Sequence, residues 1–437
     1  MGELFCFPLK QNIGAGAAPT IVKGDTIVRG QLLASKGEGS LGANLYSSVS
    51  GLVSEITEES IFILADDSQS SDYRKLTSDT PLSLIEESGL VGLGGAGFPT
   101  YAKLNKSFQS EGIVIINAAE CEPILEHNIK AIEKNPGQLL RGLEIAMDVV
   151  KAEKGIIAIK GVHKEAVEAL AGAIDKIPEN EGKIQLHLLE DLYPMGEERA
   201  IIRECLGKLL SVESLPSEAG AIVINAETAC RIQEAVDLKK PLIDKNMTVA
   251  GKLKDGSEHI QVFYDVPLGI SVGAMLEKAG GVSEDCGEII MGGPFTGKRT
   301  TKDSPVVKTT GGIIAAECFP KGPDKIGLLV CACGANKERL EEIAESLGSE
   351  VVGCEYCKQA HQVKASLKCE NPGICPGQVQ KVMALKKAGA QAVLISNCTD
   401  CSNTVMSCAP QLGLPVYHCT DGALRAVNKK LVRKIKK

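Results

Sequence analysis

A glycine-rich stretch at residues 92–100 suits close contact between a backbone and a ligand. Glycine has no Cβ atom, so such a loop lets its amide groups approach a bound molecule. The glycines also fit the pattern G-x-G-x-x-G, but that pattern needs a preceding strand, and residues 81–89 predict a short helix. A cradle for a flat or anionic ligand, or a turn without a ligand, therefore fits better than a Rossmann loop. The candidate residues are Gly92, Gly94, Gly95, Ala96, Gly97, Phe98, Pro99 and Thr100, followed by the positive charge of Lys103.

Cysteines form the second group of residues that could do chemistry. The chain has 16 cysteines, and most of them fall between residues 331 and 419. In a reducing compartment such a concentration indicates redox or metal chemistry rather than structural disulfides. The pairs 331/333, 354/357 and 398/401 each fall at or near the end of a predicted strand, where we expect them to be exposed at a strand-to-helix turn.

Two chemical uses of these cysteines stay open, and the alternative to both is that the thiols are buried and inert. Cys398 and Cys401 are the first candidates for a thiol–disulfide exchange couple, because a helix N-terminus lowers the pKa of a nearby thiol. Cys354 and Cys357 are a second candidate pair. The same two residues with Cys369 and Cys375 have the spacing C-x2-C-x11-C-x5-C, which could hold zinc or an iron–sulfur cluster.

The elements that must position these residues alternate between strands and helices from about residue 110. Continuous apolar strands separated by helices predict a parallel sheet that is covered on both faces. The strands are expected at residues 112–116, 155–159, 184–189 and 221–224, and the longer helices at 136–153 and 163–177. Residues 117–120 and 225–228 directly follow two of the strands, so both polar clusters should lie at the carboxyl edge of the sheet, where ligands bind.

Composition restricts the possible functions. The net charge of −7 argues against a nucleic-acid partner. No stretch reaches the 18 or so apolar residues of a membrane span, and no signal peptide is visible. We therefore expect a cytoplasmic protein; its oligomeric state stays open.

Four motifs in order resemble a known flavoprotein family. Residues 94–100 with Lys103 are similar to the flavin mononucleotide (FMN) loop of two proteins, the NADH-oxidising subunit of respiratory complex I and the RnfC subunit of the Rnf electron-transport complex. Residues 117–123, 193–198 and 225–228 match the same fold. The N-terminal segment resembles the barrel-sandwich (lipoyl-like) module of the Rnf protein, without a lipoyl-lysine site, and residues 238–300 resemble its β-grasp insert. The expected fold is thus α/β, with domains at 1–78 (barrel-sandwich), 79–238 (FMN and NADH binding), 239–322 (β-grasp) and 323–437 (cysteine-rich).

The resemblance implies roles for the polar residues. Asn117 and Asn225 would bind flavin ring edges or ribityl hydroxyls, Thr228 would cap a helix facing phosphate, and Lys103 would offer its charge to phosphate or reduced flavin. Glu120 and Glu122 would face the NADH side, whereas Glu197 and Glu198 match an acidic pair of the family without a defined role. The remaining members of the implied cofactor site are Glu120, Glu122, Gly196, Glu197 and Glu198.

The C-terminal part departs from the Rnf protein, because it lacks the C-x2-C-x2-C-x3-C-P runs that hold [4Fe–4S] clusters. The whole arrangement is similar to electron-transfer proteins associated with D-proline reductase in amino-acid-fermenting anaerobes. The resulting hypothesis is an oxidoreductase that passes electrons from NADH through FMN and C-terminal cysteines to a partner reductase, which the resemblance suggests is D-proline reductase. The alternative is a docking subunit of a larger redox complex, with zinc-bound cysteines and no flavin turnover.

Overall fold

The computed structural model describes residues 2–108, 111–177, 182–254, 258–364 and 366–433. Residues 4–65 form two small sheets. One sheet has the order β1-β7-β6-β3 and the other β2-β4-β5. Phe7, Ile27 and Leu33, which come from both sheets or their flanks, are buried in one hydrophobic core, so the predicted barrel-sandwich is confirmed. The strands are β1 (Leu4–Pro8), β2 (Ala18–Pro19), β3 (Thr26–Ile27), β4 (Leu32–Ser35), β5 (Leu45–Tyr46), β6 (Gly51–Ile56) and β7 (Ser60–Ala65).

The next module is a parallel sheet of order β10-β9-β8-β11. Successive residues of β8 serve opposite faces: Ile116 packs in the core that contains Leu140 of α4, and Ile115 packs with Ile201 of α6. This alternation confirms the prediction of a sheet covered on both faces. The elements are α1 (Pro81–Glu87), α2 (Thr100–Leu104), β8 (Ile113–Ala118), α3 (His127–Lys134), α4 (Pro136–Val150), β9 (Lys154–Lys160), α5 (Lys164–Ile174), β10 (Ile184–Leu189), α6 (Glu198–Leu206), β11 (Ala221–Asn225) and α7 (Ala226–Asp237).

A mixed sheet of order β13-β12-β16-β14-β15 follows. Its central pair, β12 and β16, is parallel, whereas the other neighbours are antiparallel. One helix, α8, packs on it through Met275 and Leu276. The elements are β12 (Asp244–Gly251), β13 (Ile260–Pro267), α8 (Val272–Lys278), β14 (Cys286–Met291), β15 (Lys298–Thr300) and β16 (Gly312–Glu317).

The last module is a second parallel sheet of order β18-β17-β21-β22, with a separate hairpin of β19 and β20. Cys331, Cys357, Cys398 and Cys419 follow the carboxyl ends of its four strands. The elements are β17 (Lys325–Val330), α9 (Lys337–Ser346), β18 (Glu350–Tyr356), β19 (Ala360–Val363), β20 (Ser366–Cys369), α10 (Val379–Lys387), β21 (Ala392–Ile395), α11 (Thr399–Cys408), β22 (Val416–His418) and α12 (Asp421–Ala426).

The cysteine-rich module packs directly on the α/β module through the segment that precedes α6. The backbone of Tyr193 exchanges two hydrogen bonds with Thr399, of 3.1 and 3.2 Å. Arg203 of α6 donates to Asn371 Oδ1 at 2.6 Å and to the carbonyl of Pro372 at 2.8 Å. The two sheets therefore meet near their functional edges. Within the described residues, no helix is both long enough and apolar enough to cross a bilayer.

Candidate functional site

The glycine-rich stretch is a closed loop with an open tip. Its ends are joined by hydrogen bonds from Gly92 N to Phe98 O (2.9 Å) and from Thr100 N to Leu90 O (3.0 Å). Residues 94–96 at the tip are exposed. A Cβ atom on Gly95 would meet no heavy atom of the described chain within 4 Å. The tip therefore presents bare peptide to whatever lies against it.

Gly97 has a different role from the other glycines of the loop. Its φ of +73° lies in the left-handed region, and a Cβ atom there would lie 3.1 Å from Gln11 O and from Thr309 Cγ2. Its carbonyl accepts a hydrogen bond from Ile13 N at 3.0 Å. Gly97 thus anchors the loop on the barrel-sandwich, and the residues that follow it, Pro99 and Thr100, are buried at the start of α2.

The two asparagine motifs meet at the carboxyl edge of the parallel sheet, as the sequence predicts. Asn117 at the end of β8 pairs in register with Asn225 at the end of β11. Asn117 Nδ2 donates to the carbonyl of Gly196 at 2.8 Å. Next to Asn225, a Cβ atom on Gly94 would lie only 2.3 Å from the Nδ2 atom, so the loop tip passes directly over this side chain.

The helix cap at this edge differs from the expectation. Asn225, not Thr228, caps α7: its Oδ1 accepts from Thr228 N at 3.3 Å. Thr228 Oγ1 instead accepts from Leu93 N at 3.0 Å and so ties the glycine loop to α7. The distinction matters because Thr228 then fixes the loop rather than facing a ligand.

Lys103 is already paired. Its Nζ donates to Glu198 Oε1 at 2.6 Å and to Val223 O at 3.0 Å. Glu197 caps α6 by accepting from Arg199 N at 2.8 Å and from Ala200 N at 3.0 Å. These contacts hold α2 and α6 around the sheet edge. The sequence could not predict these partners, because they lie on helices that are far apart in the chain.

The acidic residues of the second motif separate into two environments. Glu120 accepts from Asn128 Nδ2 at 2.8 Å, and burial raises the pKa of its carboxyl group to about 7. Glu122 accepts from the backbone amides of Phe295 and Thr296 at 2.8 and 2.9 Å, and burial also raises its pKa. Glu122 therefore binds the β-grasp module, although the sequence places it with Glu120 on the NADH side. Its oxygens are occupied by protein donors.

Three of the cysteines form a compact buried group. The Sγ atoms of Cys331, Cys357 and Cys401 all lie within 4.8 Å of one another. Cys331 and Cys357 directly follow strands β17 and β18, and Cys401 lies in the first turn of α11. The carboxyl ends of neighbouring parallel strands thus bring together residues that are far apart in the sequence.

The structure regroups the predicted cysteine sites. Cys354 lies inside β18, half-buried near Lys337 and Tyr356, and is outside the group that contains Cys357. Since the strand continues to Tyr356, only Cys357 reaches the turn. The cysteine spacing does not predict Cys331 as a ligand. Its position directly after the first strand of the sheet is the sequence signal that could have identified it.

The predicted exposure of Cys398 and Cys401 is wrong. Their exposed fractions are 2% and 3%, because the adjoining α/β module covers the start of α11. Cys398 is the N-cap of α11, and the pKa of its thiol is lowered, first by the thiol of Cys333. The thiol of Cys401 is the main cause that lowers the pKa of the half-buried Cys375 to about 6.

The residues present fit both expected groups, FMN at the glycine loop and a metal or iron–sulfur group at the cysteines. The loop tip and the two asparagines offer bare peptide and amide groups, as a flavin requires. Around the cysteines, the side chain of Gln378 is fully buried, and its Oε1 has no hydrogen-bond partner among the described residues. The buried side chain of Asn397, next to Cys398, likewise has both polar atoms without a partner in the described chain. Unpaired buried polar atoms beside a group of thiols indicate a site for a further group.

Comparison with known proteins decides the family. Residues 85–234 match the model of the Nuo51 FMN-binding domain, and residues 1–68 match that of the RnfC barrel sandwich hybrid domain. The C subunit of the Na+-translocating ferredoxin:NAD+ oxidoreductase complex of Acetobacterium woodii is 30% identical over 343 residues, which are 74% of this chain and 75% of the relative. The chain belongs to the RnfC family.

A second relative agrees with this assignment. The C subunit of the proton-translocating ferredoxin:NAD+ oxidoreductase complex of Clostridium ljungdahlii is 31% identical over 70% of this chain and 69% of the relative. Among solved structures, a chain of an NAD+-reducing [NiFe]-hydrogenase aligns with a TM-score of 0.46 and 22% identity, over 54% of this chain and 46% of that chain. As an RnfC-family member, the protein is an electron-transfer oxidoreductase with an FMN-binding domain, which confirms the predicted cofactor.

Proposed function

We propose that this protein oxidises NADH at FMN held on the loop of residues 92–100 and passes the electrons to its buried cysteines, from which a partner reductase takes them. FMN, when bound, accepts two electrons as hydride and releases them one or two at a time. The chain's own residues hold the cofactor, receive NADH and provide the route to the cysteines.

The first step is cofactor binding. The open peptide at Gly94, Gly95 and Ala96 supports placement of a flat ring against the loop, since side chains would hold the ring away. Asn117 and Asn225 lie side by side at the sheet edge, with Asn225 directly under this tip, and their amide groups can donate to ring or ribityl oxygens. The ion pair of Lys103 with Glu198 fixes the surrounding helices, and Lys103 keeps donor capacity for a phosphate.

The second step is recognition of NADH. Glu120 follows the same strand edge, and as a carboxylate it can accept hydrogen bonds from nucleotide hydroxyls. Because its pKa is raised to about 7, the carboxylate form grows as the pH rises through neutrality. We therefore assign to Glu120, rather than to Glu122, the acidic contact with the nucleotide.

The contacts of residues 193–198 carry the proposal, because this segment touches both the sheet edge proposed for the flavin and the cysteine-rich module. Gly196 accepts from Asn117 at the flavin edge, and its backbone N donates to Cys121 Sγ at 2.6 Å. Three residues earlier, Tyr193 Oη donates to the carbonyl of Cys333. One short turn therefore links the cofactor edge to the cysteine-rich module, which suits electron transfer between them.

The acceptor is proposed on the resemblance of the cysteine-rich tail. Electrons would leave to a partner reductase, and D-proline reductase is the one that the similarity to its associated electron-transfer proteins suggests. The relatives from A. woodii and C. ljungdahlii are parts of oxidoreductase complexes, which also supports a protein acceptor.

The visible spectrum of the anaerobically purified protein tests this function. We expect flavin absorbance that NADH bleaches within the mixing time of a titration. A colourless protein that binds stoichiometric zinc and ignores added FMN would instead establish the docking role, for which the close spacing of three thiols is suitable.

A further inference from the structure

The glycine loop rests on two segments that lie outside the FMN-binding domain, which covers residues 85–234. The carbonyl of Gly97 accepts a hydrogen bond from Ile13 N at 3.0 Å. A Cβ atom on Gly97 would lie 3.1 Å from Gln11 O and 3.1 Å from Thr309 Cγ2. Ile13 and Gln11 belong to the barrel-sandwich, whereas Thr309 belongs to the β-grasp module. The position of the loop therefore depends on both neighbouring modules.

Lys308, which precedes Thr309, is the buried residue at which the three modules meet. It is 1% exposed. Its Nζ donates to the carbonyl of Asn44 at 2.7 Å and to that of Gly89 at 2.8 Å. Its backbone N donates to Gln11 Oε1 at 3.0 Å. Asn44 and Gln11 belong to the barrel-sandwich, and Gly89 begins the segment that leads into the glycine loop. One side chain thus connects all three modules at the base of the loop.

The cost of burying this ammonium group indicates a purpose for its two hydrogen bonds. Moving a charge out of water costs free energy that only pairing or hydrogen bonding offsets. No carboxylate pairs with Lys308 in the described part of the chain, so the bonds to the two carbonyls must offset that cost. An apolar side chain could fill the same space without it. The ammonium group therefore serves to fix the positions of two backbone segments.

The conformation of Gly89 lets the two carbonyls converge on one group. Its φ is +72°, and a Cβ atom there would lie 2.2 Å from Asn44 O and 3.2 Å from Lys308 Nζ, so this approach requires glycine. The carbonyl of Leu90, the next residue, accepts the hydrogen bond that closes the loop. Lys308 therefore fixes the base of the loop, while the exposed tip at residues 94–96 remains free to bind a ligand.

We propose that Lys308 is a positioning residue for FMN. It holds the base of the glycine loop through Gly89 and, through Gln11, the barrel-sandwich segment on which Gly97 rests. The inference rests on the proposed placement of FMN on this loop. A site that only a fraction of the molecules hold in the binding shape has an affinity reduced by that fraction. The barrel-sandwich and the β-grasp module thus preorganise a cofactor site that lies in the domain between them.

The test compares Lys308→Met with the unaltered protein, both as the full chain. Methionine keeps the space filled but cannot donate to the two carbonyls. If the loop then holds its binding shape in a tenth of the molecules, the dissociation constant for FMN rises about tenfold. Hydrogen–deuterium exchange of residues 89–100 without FMN should be faster in the variant. At saturating FMN, the exchange and the rate of flavin bleaching by NADH should return to those of the unaltered protein, because the cofactor selects the binding shape.

Leu253→Ala is the control for a general loss of stability in the β-grasp module. Leu253 is 5% exposed, so its truncation leaves a cavity and lowers the melting temperature. β16 starts at Gly312, shortly after Lys308, and runs parallel to β12, so Leu253 beyond the end of β12 lies at the opposite end of the sheet. Its FMN dissociation constant should stay within about twofold of the unaltered value.

Gln11→Leu tests the same contact from the barrel-sandwich, and it replaces Lys308→Met if that variant does not fold. It removes the acceptor for Lys308 N and should raise the FMN dissociation constant at least about threefold.

Unchanged FMN affinity in a folded Lys308→Met, equal weakening in Leu253→Ala, or bleaching that stays slow at saturating FMN would each overturn the positioning role. The proposed placement of FMN fails separately, if a valine at the exposed loop position Gly95 leaves FMN affinity unchanged.

Discussion

Gly95→Val is the substitution that tests the FMN loop most directly. Gly95 lies at the exposed tip, its φ is outside the left-handed region, and a Cβ atom would meet no heavy atom of the described chain within 4 Å. The substitution should therefore leave the free energy of unfolding within about 0.5 kcal/mol of the original value. The branched side chain would instead occupy the space that the proposed position of the flavin ring requires.

The expected loss of affinity follows from the cost of overpacking. Forcing extra methyl groups into a filled contact costs about 1–3 kcal/mol, which corresponds to a dissociation constant for FMN that is roughly 5- to 150-fold larger. Gly97→Val is a poorer test, because its φ of +73° and its contact with the barrel-sandwich would strain the fold itself.

The assay measures FMN binding by the quenching of flavin fluorescence, with thermal unfolding as the check on folding. Gly172→Val is the matched control, since Gly172 on α5 is also free of neighbours within 4 Å among the described residues and lies away from the loop. Unchanged FMN affinity in folded Gly95→Val would refute the placement of the flavin on this loop.

Three further predictions concern stability. The folded-state pKa of Glu120 is raised from 4.5 to about 7. Its contribution to stability is therefore present below pH 4.5 and is lost as the pH rises through 7. Glu120→Gln should remove about 3 kcal/mol of this pH dependence in denaturant titrations, and an unchanged pH profile would contradict this prediction. Lys308 is fully buried without an ion pair in the described chain, and burial lowers its pKa from 10.5 to about 7. Its contribution to stability therefore rises between pH 7 and 10.5, and Lys308→Met should flatten that rise in thermal melts; a rise of equal size in the variant would show that another group titrates. Tyr193→Phe keeps the ring stacked on Phe295, 3.6 Å between centroids, but loses the hydrogen bond to Cys333. A loss of about 1 kcal/mol is expected by calorimetry, and no loss would mean that this bond does not hold the two modules together.

The parallel sheet and its functional edge could be predicted from sequence because they depend on local patterns. The strand that ends at Asn117 and the strand that ends at Asn225 are each visible as apolar runs, and parallel pairing then requires both asparagines at one edge. The glycine loop is likewise visible from composition.

The cysteine grouping could not be predicted in this way. It depends on which strand ends adjoin in the second sheet and on the α/β module that covers the start of α11. Spacing alone pairs Cys354 with Cys357, whereas the strand register puts Cys357 beside Cys331. For the same reason the occupied partners of Glu122 and Lys103, which lie on distant segments, carry no sequence signal.

The most direct measurement of electron flow from flavin to cysteines is an anaerobic titration that counts NADH consumed per bound FMN. FMN alone holds two electrons, which one NADH supplies. The proposed pathway predicts consumption of more than one NADH per FMN, since the cysteine sites accept the excess. Uptake that ends at one NADH per FMN, with the cysteine sites still oxidised, would contradict it.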